Sequence, residues 1–511
     1  MNESDSRKIA ARKAAAKARH VSSEKEFHEL KKLPGKGMLS HSEIIAAARE
    51  AGIEIDEKMK RKRTRTASGV CVIAIMTAPL PCPGKCIYCP GGVEKGSAKS
   101  YTGFEPAALR AKSNDFDAFL QVKNRLEQLE AIGHSTEKCE LIVMGGTFNF
   151  LPTEYQTTFV KRALEAFNEK TSLDLKEAMK ANESAKHRVI GITFETRPDW
   201  VNDGKKVKEL LALGATRIEL GVQTLSNKVY KKIKRGHGVK EVVEATKACK
   251  DAFLKVCYHY MPGLFVQKNE DVHMFKQLFS DPRFRPDALK IYPCLVLEGT
   301  ELHELWRKKK FAPYDTEEAT EVIAEMKKFV PEYCRIMRVD RDIPTNLVVA
   351  GVKKSNLREL VRERMRENSA ECRCIRCREA GFKNAGVDLG AVKLHRMDYE
   401  ASGGKEVFLS FVDDEANDVL VAYLRLRKPL RGGVAGVREL RVCGQALPLH
   451  ARKKGEAQHK GFGRMLLEEA ERIGVEWNVE KISVLSGIGV KPYYRALGYA
   501  DEGFYLSKKL L

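Results

Sequence analysis

Short apolar runs recur along the first part of the chain and alternate with amphipathic segments. Between residues 70 and 295 such a run returns at intervals of roughly 30 to 50 residues. The segments between the runs, such as Phe119–Ile132 and Tyr155–Phe167, carry apolar residues at helical spacing. The six predicted strands are Val70–Met76, Glu140–Met144, Arg188–Phe194, Thr216–Val222, Lys255–Met261 and Ala288–Cys294. The pattern predicts βα units whose parallel sheet curls towards a barrel, with functional residues at the carboxyl ends of the strands.

The pattern changes twice after these units. Thr316–Val330 reads as a helix, and from about residue 391 apolar and polar residues alternate as in solvent-facing strands. The predicted strands of this second part are Val407–Val412, Val419–Leu426, Val437–Val442 and Ile482–Leu485. A glycine-containing turn at residues 458–463 opens directly into an amphipathic helix, so we expect a separate α+β unit.

Residues 1–65 are helix-prone and basic. Ser40–Ala51 is predicted as a short helix with Ser42 or Ser40 as its N-cap, and the segment ends in the dense basic run 58–65. Such a run repels itself unless phosphates or solvent ions screen it. It is therefore a candidate nucleic-acid contact, and the alternative is a solvated linker.

Composition narrows the class of partner. The 511 residues carry a formal charge of +21 and a pI near 9.3, which favours a polyanionic partner such as nucleic acid, although charge spread for solubility is the alternative. The apolar runs are far too short to span a membrane, and the charged N-terminus contains no secretory signal. Thirteen Cys, an odd number, favour metal ligands and buried thiols in a reducing cytoplasm.

Three closely spaced thiols follow the first predicted strand. Cys82, Cys86 and Cys89 have gaps of three and two residues, with Gly and Pro inside and after the run. Three cysteines can hold three irons of a cubane cluster and leave the fourth open to a small ligand. The alternatives are a zinc knuckle without its fourth ligand and three unconnected thiols.

This spacing after a strand resembles the radical S-adenosylmethionine (SAM) family. The resemblance implies a partial (β/α)6 barrel, a 4Fe-4S cluster held by Cys82, Cys86 and Cys89, and SAM bound to the open iron. Gly145 and Gly146 lie where that family binds the amino group of SAM, with Thr147 in place of the family's Glu. Other strand ends that could line the SAM and substrate cavity are 195–199, 223–224 and 259–263. For each of them, a helix N-cap or a satisfied buried polar group is the alternative. Chemistry alone assigns no role to the loops 101–106 and 235–238.

A second cysteine group lies between the two units. Cys372, Cys374 and Cys377, with Cys334 as the nearest remaining thiol in sequence, could form a closed four-thiolate zinc site. Buried or regulatory free thiols are the alternative. Many arginines, among them Arg335, Arg358 and Arg376, surround this linker, and arginine suits phosphate contact.

The glycine turn of the C-terminal unit offers free amides and close approach at a helix start, which suits a pyrophosphate. Gln458, Gly461 and Gly463, between the strands described above, resemble the GNAT acetyltransferase family. The resemblance implies acetyl-CoA binding by a loop and by the backbone of a preceding strand, with Tyr494, and Tyr493 beside it, near the thioester. The predicted binding residues are Gln458, Lys460, Gly461, Phe462, Gly463, Arg464, Glu439, Leu440, Arg441, Val442 and Tyr494. For the two tyrosines, core packing is the alternative.

The order of these parts resembles one family over nearly the whole chain, the catalytic subunit of Elongator and its archaeal single-chain relatives. Shared stretches include 86–92, 100–106, 144–148, 195–199 and 438–440. The resemblance implies a basic tRNA-binding segment at 1–65, a radical SAM domain at 66–330, a zinc-binding linker at 331–390 and an acetyltransferase domain at 391–511. It also implies that Lys138 contributes to acetyl-CoA binding.

The implied reaction is carboxymethylation at C5 of the wobble uridine, in which a SAM-derived radical activates the methyl group of acetyl-CoA. The single-stranded anticodon loop of tRNA can offer its base to the cavity. A homodimer or Elongator-like partners stay open. Two alternatives are a lysine acetyltransferase with a structural radical SAM domain and a non-catalytic RNA-binding protein.

Overall fold

The structure is a computed structural model that describes residues 3–18, 21, 24–32, 38, 39, 41–53, 67–383, 388, 390–416, 418–444 and 460–510. Its helices are α1 (Glu3–Ala18), α2 (Glu24–Glu29), α3 (His41–Glu50), α4 (Pro106–Lys112), α5 (Ala118–Ala131), α6 (Thr153–Asn168), α7 (Leu175–Asn182), α8 (Gly204–Ala212), α9 (Asn227–Lys232), α10 (Val239–Asp251), α11 (Lys268–Ser280), α12 (Glu301–Arg307), α13 (Thr316–Lys327), α14 (Leu357–Glu367), α15 (Ile375–Arg378), α16 (Ala380–Lys383), α17 (Phe462–Glu476) and α18 (Lys491–Arg495). None of the described helices combines the length and the apolar character needed to cross a membrane.

The strands are β1 (Cys71–Met76), β2 (Lys138–Met144), β3 (Arg188–Thr196), β4 (Ala215–Gln223), β5 (Lys255–Tyr260), β6 (Ala288–Ile291), β7 (Val296–Leu297), β8 (Arg335–Val339), β9 (Val348–Ala350), β10 (Val392–Ala401), β11 (Gly404–Asp413), β12 (Val419–Pro429), β13 (Val434–Val442), β14 (Lys481–Val484), β15 (Ala500–Glu502) and β16 (Tyr505–Lys509). They form two large sheets, and β7 pairs with β9 in a small third one.

The N-terminal sheet has the order β1-β2-β3-β4-β5-β6-β8, and its neighbouring strands are parallel. This confirms the predicted parallel sheet and its six strands. The expected six-stranded barrel is wrong in one respect, because β8 adds a seventh parallel strand beside β6. Among the described residues no strand pairing joins β1 to β8, so the sheet is a half-barrel.

Helices cover the outside of the half-barrel for the reasons that the sequence gives. In α8, Val207, Leu210 and Leu211 are buried at helical spacing, and the side chain of Asp203 caps the helix by accepting from the Lys206 N–H. Phe148, Phe159 and other apolar residues between the sheet and the helices belong to one continuous core.

The basic N-terminal segment packs on this body. Helix α1 contacts α3, and α3 contacts α5. Arg7 donates to Glu43 at 2.6 Å across the first pair. The helix expected at Ser40–Ala51 is found at His41–Glu50, whereas Ser40 and the basic run 58–65 lie outside the described residues.

The C-terminal sheet has the order β10-β11-β12-β13-β14-β16-β15. Strands β10 to β13 are antiparallel, while β13 and β14 are parallel over Val434–Val437 only. Helix α17 covers one face of this sheet with Leu466, Leu467 and Ala470. The result is an α+β unit with a sheet of its own, and β10, β15 and β16 were not predicted.

A buried ionic network joins the two units. Arg438 of β13 donates to Asp287 and Glu406, each at 2.9 Å. Lys250 lies 3.3 Å from each of the same two carboxylates. All four side chains are almost fully buried, and removing one partner of a buried ion pair costs about 3 to 5 kcal/mol. The network therefore fixes the C-terminal unit against the half-barrel.

Candidate active site

A cavity of about 660 Å³ fills the half-barrel, and we call it the main cavity. Its upper wall comes from residues at the carboxyl ends of the strands, as expected for parallel βα units. From the predicted strand ends it takes Glu195, Thr196, Arg197, Gln223, His259 and Met261. The two loops to which the sequence gave no role contribute Tyr101, Glu105 and Arg235. The cavity therefore gathers most of the strand-end residues that the sequence singled out.

Cys82, Cys86 and Cys89, the N-terminal cysteine triad, line the main cavity directly after β1. Cys82 Sγ lies 3.6 Å from Thr147 Oγ1, at the end of β2. The turn inside the triad is tight, because a Cβ added at Gly84 would lie 2.5 Å from Arg197 Nη1. The spacing of the thiols thus presents all three to one space.

One thiol of this triad is held as a thiolate. The pKa of Cys86 is lowered to about 4, first by a hydrogen bond with Cys89 and then, against the effect of burial, by Arg235 and Arg197. Arg235 Nη1 donates to Cys86 Sγ at 3.2 Å, and Arg197 Nη2 donates to the Arg235 carbonyl at 2.6 Å. Thiolates are the form that ligates metal.

The surroundings also fit an anionic group at the triad. Arg197 Nη1 is buried and finds no hydrogen-bond acceptor among the described residues. It faces the cysteine loop at Gly84. The rest of the Arg197 guanidinium pairs with Asp199, so one buried N–H donor is left facing the three thiols, which suits an iron-sulfur cluster with negatively charged ligands. The residues present therefore fit the cluster that the spacing predicts.

A charged network forms the opposite wall. Ligand atoms of Glu195, Glu219 and His259 lie within 4.8 Å of one another. Lys290 forms an ion pair with Glu219 and lies 3.7 Å from Glu195, while Tyr101 Oη donates to Glu195 at 2.6 Å. Because the Lys290 ammonium already faces both carboxylates, we interpret this group as a hydrogen-bonding wall rather than as a metal site.

Burial would raise the pKa of Glu219, but the charge of Lys290 and the hydrogen bond from His259 outweigh it and hold that pKa well below its usual range. Glu219 is thus ionised at neutral pH. Glu219, Lys290 and Arg217 were missed from the sequence, although Arg217 and Glu219 alternate with apolar residues in β4. That alternation inside a covered parallel sheet was the available signal.

The predicted SAM-binding glycines lie at the end of β2. Gly146 lines the main cavity with a φ of +94°. Gly145 has a φ of +140°, and an added Cβ would lie 2.0 Å from Thr77 Oγ1. Only glycine fits both positions without strain, so bare backbone faces the cavity at Gly146.

Cys372, Cys374 and Cys377, the linker cysteine triad, have Sγ atoms within 4.8 Å of one another. Hydrogen bonds from Cys372 and Cys377 hold the pKa of Cys374 well below its usual value. Cys334 is fully buried and its carbonyl accepts from the Ile375 N–H at 3.0 Å, but its Sγ does not belong to the group of three. Its role as fourth ligand therefore stays a prediction.

The predicted acetyl-CoA site lies where β13 and β14 diverge. In the described part of the chain, β13 has no strand partner on its β14 side after Val437. Gly463, in the first turn of α17, lies beside Leu440, Val442 and Tyr493, since an added Cβ would meet their side chains at 3.3 to 3.8 Å. The structure thus brings the open strand edge, the helix start and one predicted tyrosine together.

The other predicted residues of this site have different surroundings. Tyr494 is buried in the C-terminal core, which raises its pKa well above the usual value. Lys460 and Gly461 are exposed, Phe462 is buried in the core, and Arg464 forms an exposed ion pair with Glu468. Gln458 lies outside the described residues. Lys138, at the start of β2, has a pKa lowered to about 8 by burial.

The main cavity and the predicted acetyl-CoA site meet at a group of charged residues around Glu140. Glu140 and Arg217 line the main cavity and form an ion pair. Arg441 of β13 reaches the same carboxylate, with Nη2 3.4 Å from Glu140 Oε2. Glu439, two residues earlier, accepts from Arg425 Nε at 2.8 Å. The strand with the open edge is thus one ion pair away from the cavity that holds the N-terminal cysteine triad.

Comparisons with known proteins agree with this geometry. The chain matches the Radical SAM superfamily over residues 81–279 and the Radical_SAM C-terminal domain over residues 286–367. It is 50% identical over 495 residues to the tRNA uridine(34) acetyltransferase of Methanocaldococcus infernus, covering 93% of this chain and 92% of the relative. It is 43% identical over 474 residues to Elongator complex protein 3 of Homo sapiens, covering 89% and 86%. Among solved structures, the archaeal M. infernus Elp3 with an N-terminal deletion (1-46) is similar with a TM-score of 0.77 and 47% identity, covering 87% of this chain and all of the other.

Proposed function

Since the chain belongs to the family of tRNA uridine(34) acetyltransferases and Elongator complex protein 3, we propose that it attaches a carboxymethyl group, derived from acetyl-CoA, to C5 of the wobble uridine. The family assignment confirms the resemblance drawn from the sequence. The chain is a radical SAM enzyme that modifies the wobble uridine of tRNA. The carboxymethyl product, the acyl donor and the residues that bind it are the parts that we add.

The observation that carries the proposal is the meeting of two sites at Glu140. The main cavity presents three thiols suited to a cluster, and β13 presents an open edge on the other side of Glu140. Joining the methyl carbon of an acetyl group to C5 of uridine needs both the main cavity and the open strand edge, because neither carbon reacts readily by polar chemistry. When bound, the 4Fe-4S cluster and SAM supply the one-electron chemistry that removes this obstacle.

The residues of the half-barrel bind and orient. Cys82, Cys86 and Cys89 would ligate the cluster, and the hydrogen bond with Cys89 together with the charge of Arg235 keeps the pKa of Cys86 low for that role. The bare backbone at Gly146 leaves room for the SAM amino group. Tyr101 keeps its proton on Oη, since burial and the neighbouring Glu195 raise its pKa well above the usual value.

The C-terminal unit would hold acetyl-CoA. The backbone of Glu439–Val442 can pair with the pantetheine amides, and residues 458–464 can receive the pyrophosphate at the start of α17. Because the pKa of Tyr494 is raised by burial, its hydroxyl can donate a hydrogen bond but does not act as a phenolate. Tyr493 stands beside Gly463 and Lys138 completes the proposed set.

The remaining parts of the sequence interpretation stay proposals. They are zinc held by Cys334, Cys372, Cys374 and Cys377, tRNA contact by residues 1–65, the domain boundaries at 65, 330 and 390, a cytoplasmic location, and a homodimer or Elongator-like partners. The free state of all thirteen cysteines supports metal ligation and a reducing compartment.

The test is anaerobic incubation of tRNA with the reduced, cluster-loaded chain, SAM and acetyl-CoA carrying ¹³C in its methyl group. We expect labelled carboxymethyluridine by mass spectrometry of the nucleosides. Label in lysine instead would favour protein acetylation, and no label in either would refute the acyl donor.

A pair of glycine variants tests the acetyl-CoA site. Gly463→Val fills the space beside Leu440 and Tyr493, so product should be lost while SAM cleavage continues. Gly204→Val is the matched control, because nothing lies within 4 Å of an added Cβ there. Equal product from both variants would rule out binding at the start of α17.

A further inference from the structure

An aromatic ring and a guanidinium are stacked on the linker side of the main cavity. Arg376 of α15 lies over the ring of Phe382 of α16, with Cζ 3.7 Å from the ring centroid. Both side chains line the cavity and both are half-buried. We call this pair the Arg376–Phe382 stack. It belongs to neither of the two sites described above.

Within the part of the chain that the structure describes, Arg376 has no acceptor for its five donors. Its neighbours Arg373 and Arg378 bind Glu332 and Asp418, whereas no ion pair or hydrogen bond of the Arg376 guanidinium exists among the described residues. Glu379, the carboxylate whose charge reaches Arg376, is bonded to Arg335. Arg358 and Arg335 also lie close enough to repel Arg376, while Cys374 of the linker cysteine triad attracts it. A half-buried cation beside like charges is costly unless a ligand shares the site.

The backbone on both sides of the stack is fixed. Ile375 is fully buried and its N–H donates to the Cys334 carbonyl at 3.0 Å. Gly381 packs so closely on Ala67 that an added Cβ would lie 1.8 Å from its carbonyl oxygen. The stack is therefore preorganised, which lowers the entropic cost of placing a ligand on it.

We propose that the Arg376–Phe382 stack seats one unstacked nucleobase of the single-stranded RNA substrate, with the guanidinium between the ring and the base. Guanidinium planes and aromatic rings are the surfaces on which proteins stack splayed bases. The positive charge of Arg376 on this wall of the cavity attracts the phosphate that adjoins the base. The inference rests on the proposed function, because it takes the RNA substrate from there.

A stacked base contributes position and affinity but little base identity, because every base has a π face. The stack therefore holds the anticodon loop in register while another part of the cavity selects the uridine. Its loss weakens RNA binding without touching the groups that would hold the cluster or acetyl-CoA.

The test uses the full chain and a fluorescent anticodon stem-loop RNA, without SAM or acetyl-CoA. Arg376→Lys keeps the charge and removes the plane, and Phe382→Leu keeps the apolar volume and removes the ring. We expect the Kd of each to rise roughly 5- to 100-fold, the range for loss of one stacked base. For Arg376→Lys the slope of log Kd against log salt should stay as in the wild type, because the charge is kept.

A second stack outside the cavity supplies the matched control. Arg162 lies 4.9 Å from the Phe119 ring on the outer helices α5 and α6, so Arg162→Lys and Phe119→Leu should leave the Kd unchanged. Stem-loops with 2-aminopurine at each loop position in turn should show one position whose quenching on binding is lost in the Arg376→Lys and Phe382→Leu variants.

Unchanged Kd in Arg376→Lys and Phe382→Leu, or an equal loss in the control pair, overturns the proposal. If Phe382→Leu lowers the melting temperature, the Kd of Arg376→Lys alone decides whether the proposal stands. Failure here is distinct from failure of the proposed function: a wild-type chain that makes labelled product while both stack variants bind RNA normally refutes only the stack.

Discussion

The two cysteine triads use the same side chain in surroundings that differ in one important way. Each holds one thiol with a depressed pKa, which is hydrogen-bonded to one other thiol in the N-terminal triad and to two in the linker triad. The N-terminal triad lines the main cavity beside Arg235 and Arg197, whereas the linker triad is absent from the lining of that cavity. Residue type and spacing therefore predict metal ligation at both, but only access to a cavity predicts chemistry at one.

This difference in access to the cavity predicts different roles for the two triads. A cluster with an open iron serves the reaction, and its removal should leave the fold in place. A closed zinc site serves the fold, since structural zinc contributes folding free energy directly. Four variants test this contrast, and they follow in order of expected effect.

Cys86→Ala should have the largest effect and should reduce labelled carboxymethyluridine below detection, because the cluster loses one of three ligands. Iron content and the visible absorbance of the cluster should fall with it, while zinc content stays. The matched control is Cys249→Ala, a fully buried thiol of α10 outside both triads. Product from Cys86→Ala would contradict the radical assignment.

Cys374→Ala should release zinc and lower the free energy of unfolding by about 4 kcal/mol, in the range for loss of a structural metal. Chemical denaturation and metal analysis measure the two effects. Iron content should stay as in the wild type. Loss of iron together with zinc would show that the triads are not independent.

Cys334→Ala decides whether the linker triad is closed. The free energy of zinc binding at a structural site is about 10 to 16 kcal/mol and comes from four ligands. Loss of one ligand should therefore cost on the order of 3 kcal/mol, or roughly 100-fold in zinc affinity. Competition with a chromogenic chelator should detect this loss. An unchanged zinc affinity would mean that Cys334 is not the fourth ligand and that this site is open as well.

Arg235→Gln should have the smallest effect, on the ionisation of Cys86. An adjacent opposite charge lowers a pKa by about 1 to 3, so the pKa of Cys86 should rise from about 4 towards 6. The metal-free protein should then be alkylated at Cys86 more slowly at pH 5 than the wild type, because less thiolate is present. Equal rates at pH 5 would leave the hydrogen bond with Cys89 and the charge of Arg197 as the causes of the depressed pKa.

Much of the fold followed from the sequence, and its gaps have physical reasons. The predicted strands of the half-barrel are apolar runs because covered parallel strands are buried on both faces. Strand β8 was not predicted because Arg335 and Arg338 interrupt the apolar pattern of its five residues. Strand β10 was not predicted because most of its residues are exposed. Strands at a sheet edge often carry charged residues, so they lack the apolar run by which the other strands were predicted.

The candidate site was predicted unevenly for a similar reason. Thiol spacing located the N-terminal triad, and glycines marked Gly146 and Gly463, because those constraints are local. Arg235 and Lys290 reach the cavity from distant segments, so their role depends on tertiary placement. Similarly, nothing local to Arg376 shows that it has no carboxylate partner among the residues described by the structure, whereas its neighbours Arg373 and Arg378 have one.

The ionic network between the units has a consequence for anyone who divides this protein. Expressed without the half-barrel, the C-terminal sheet would keep Arg425, Arg427 and Arg438 but lose Asp251 and Asp287, which contact them. The isolated fragment would expose these arginines on a surface that is buried in the full chain. We expect it to bind nucleic acid indiscriminately or to precipitate. The two halves are thus better understood as one folding unit than as modules that can be exchanged.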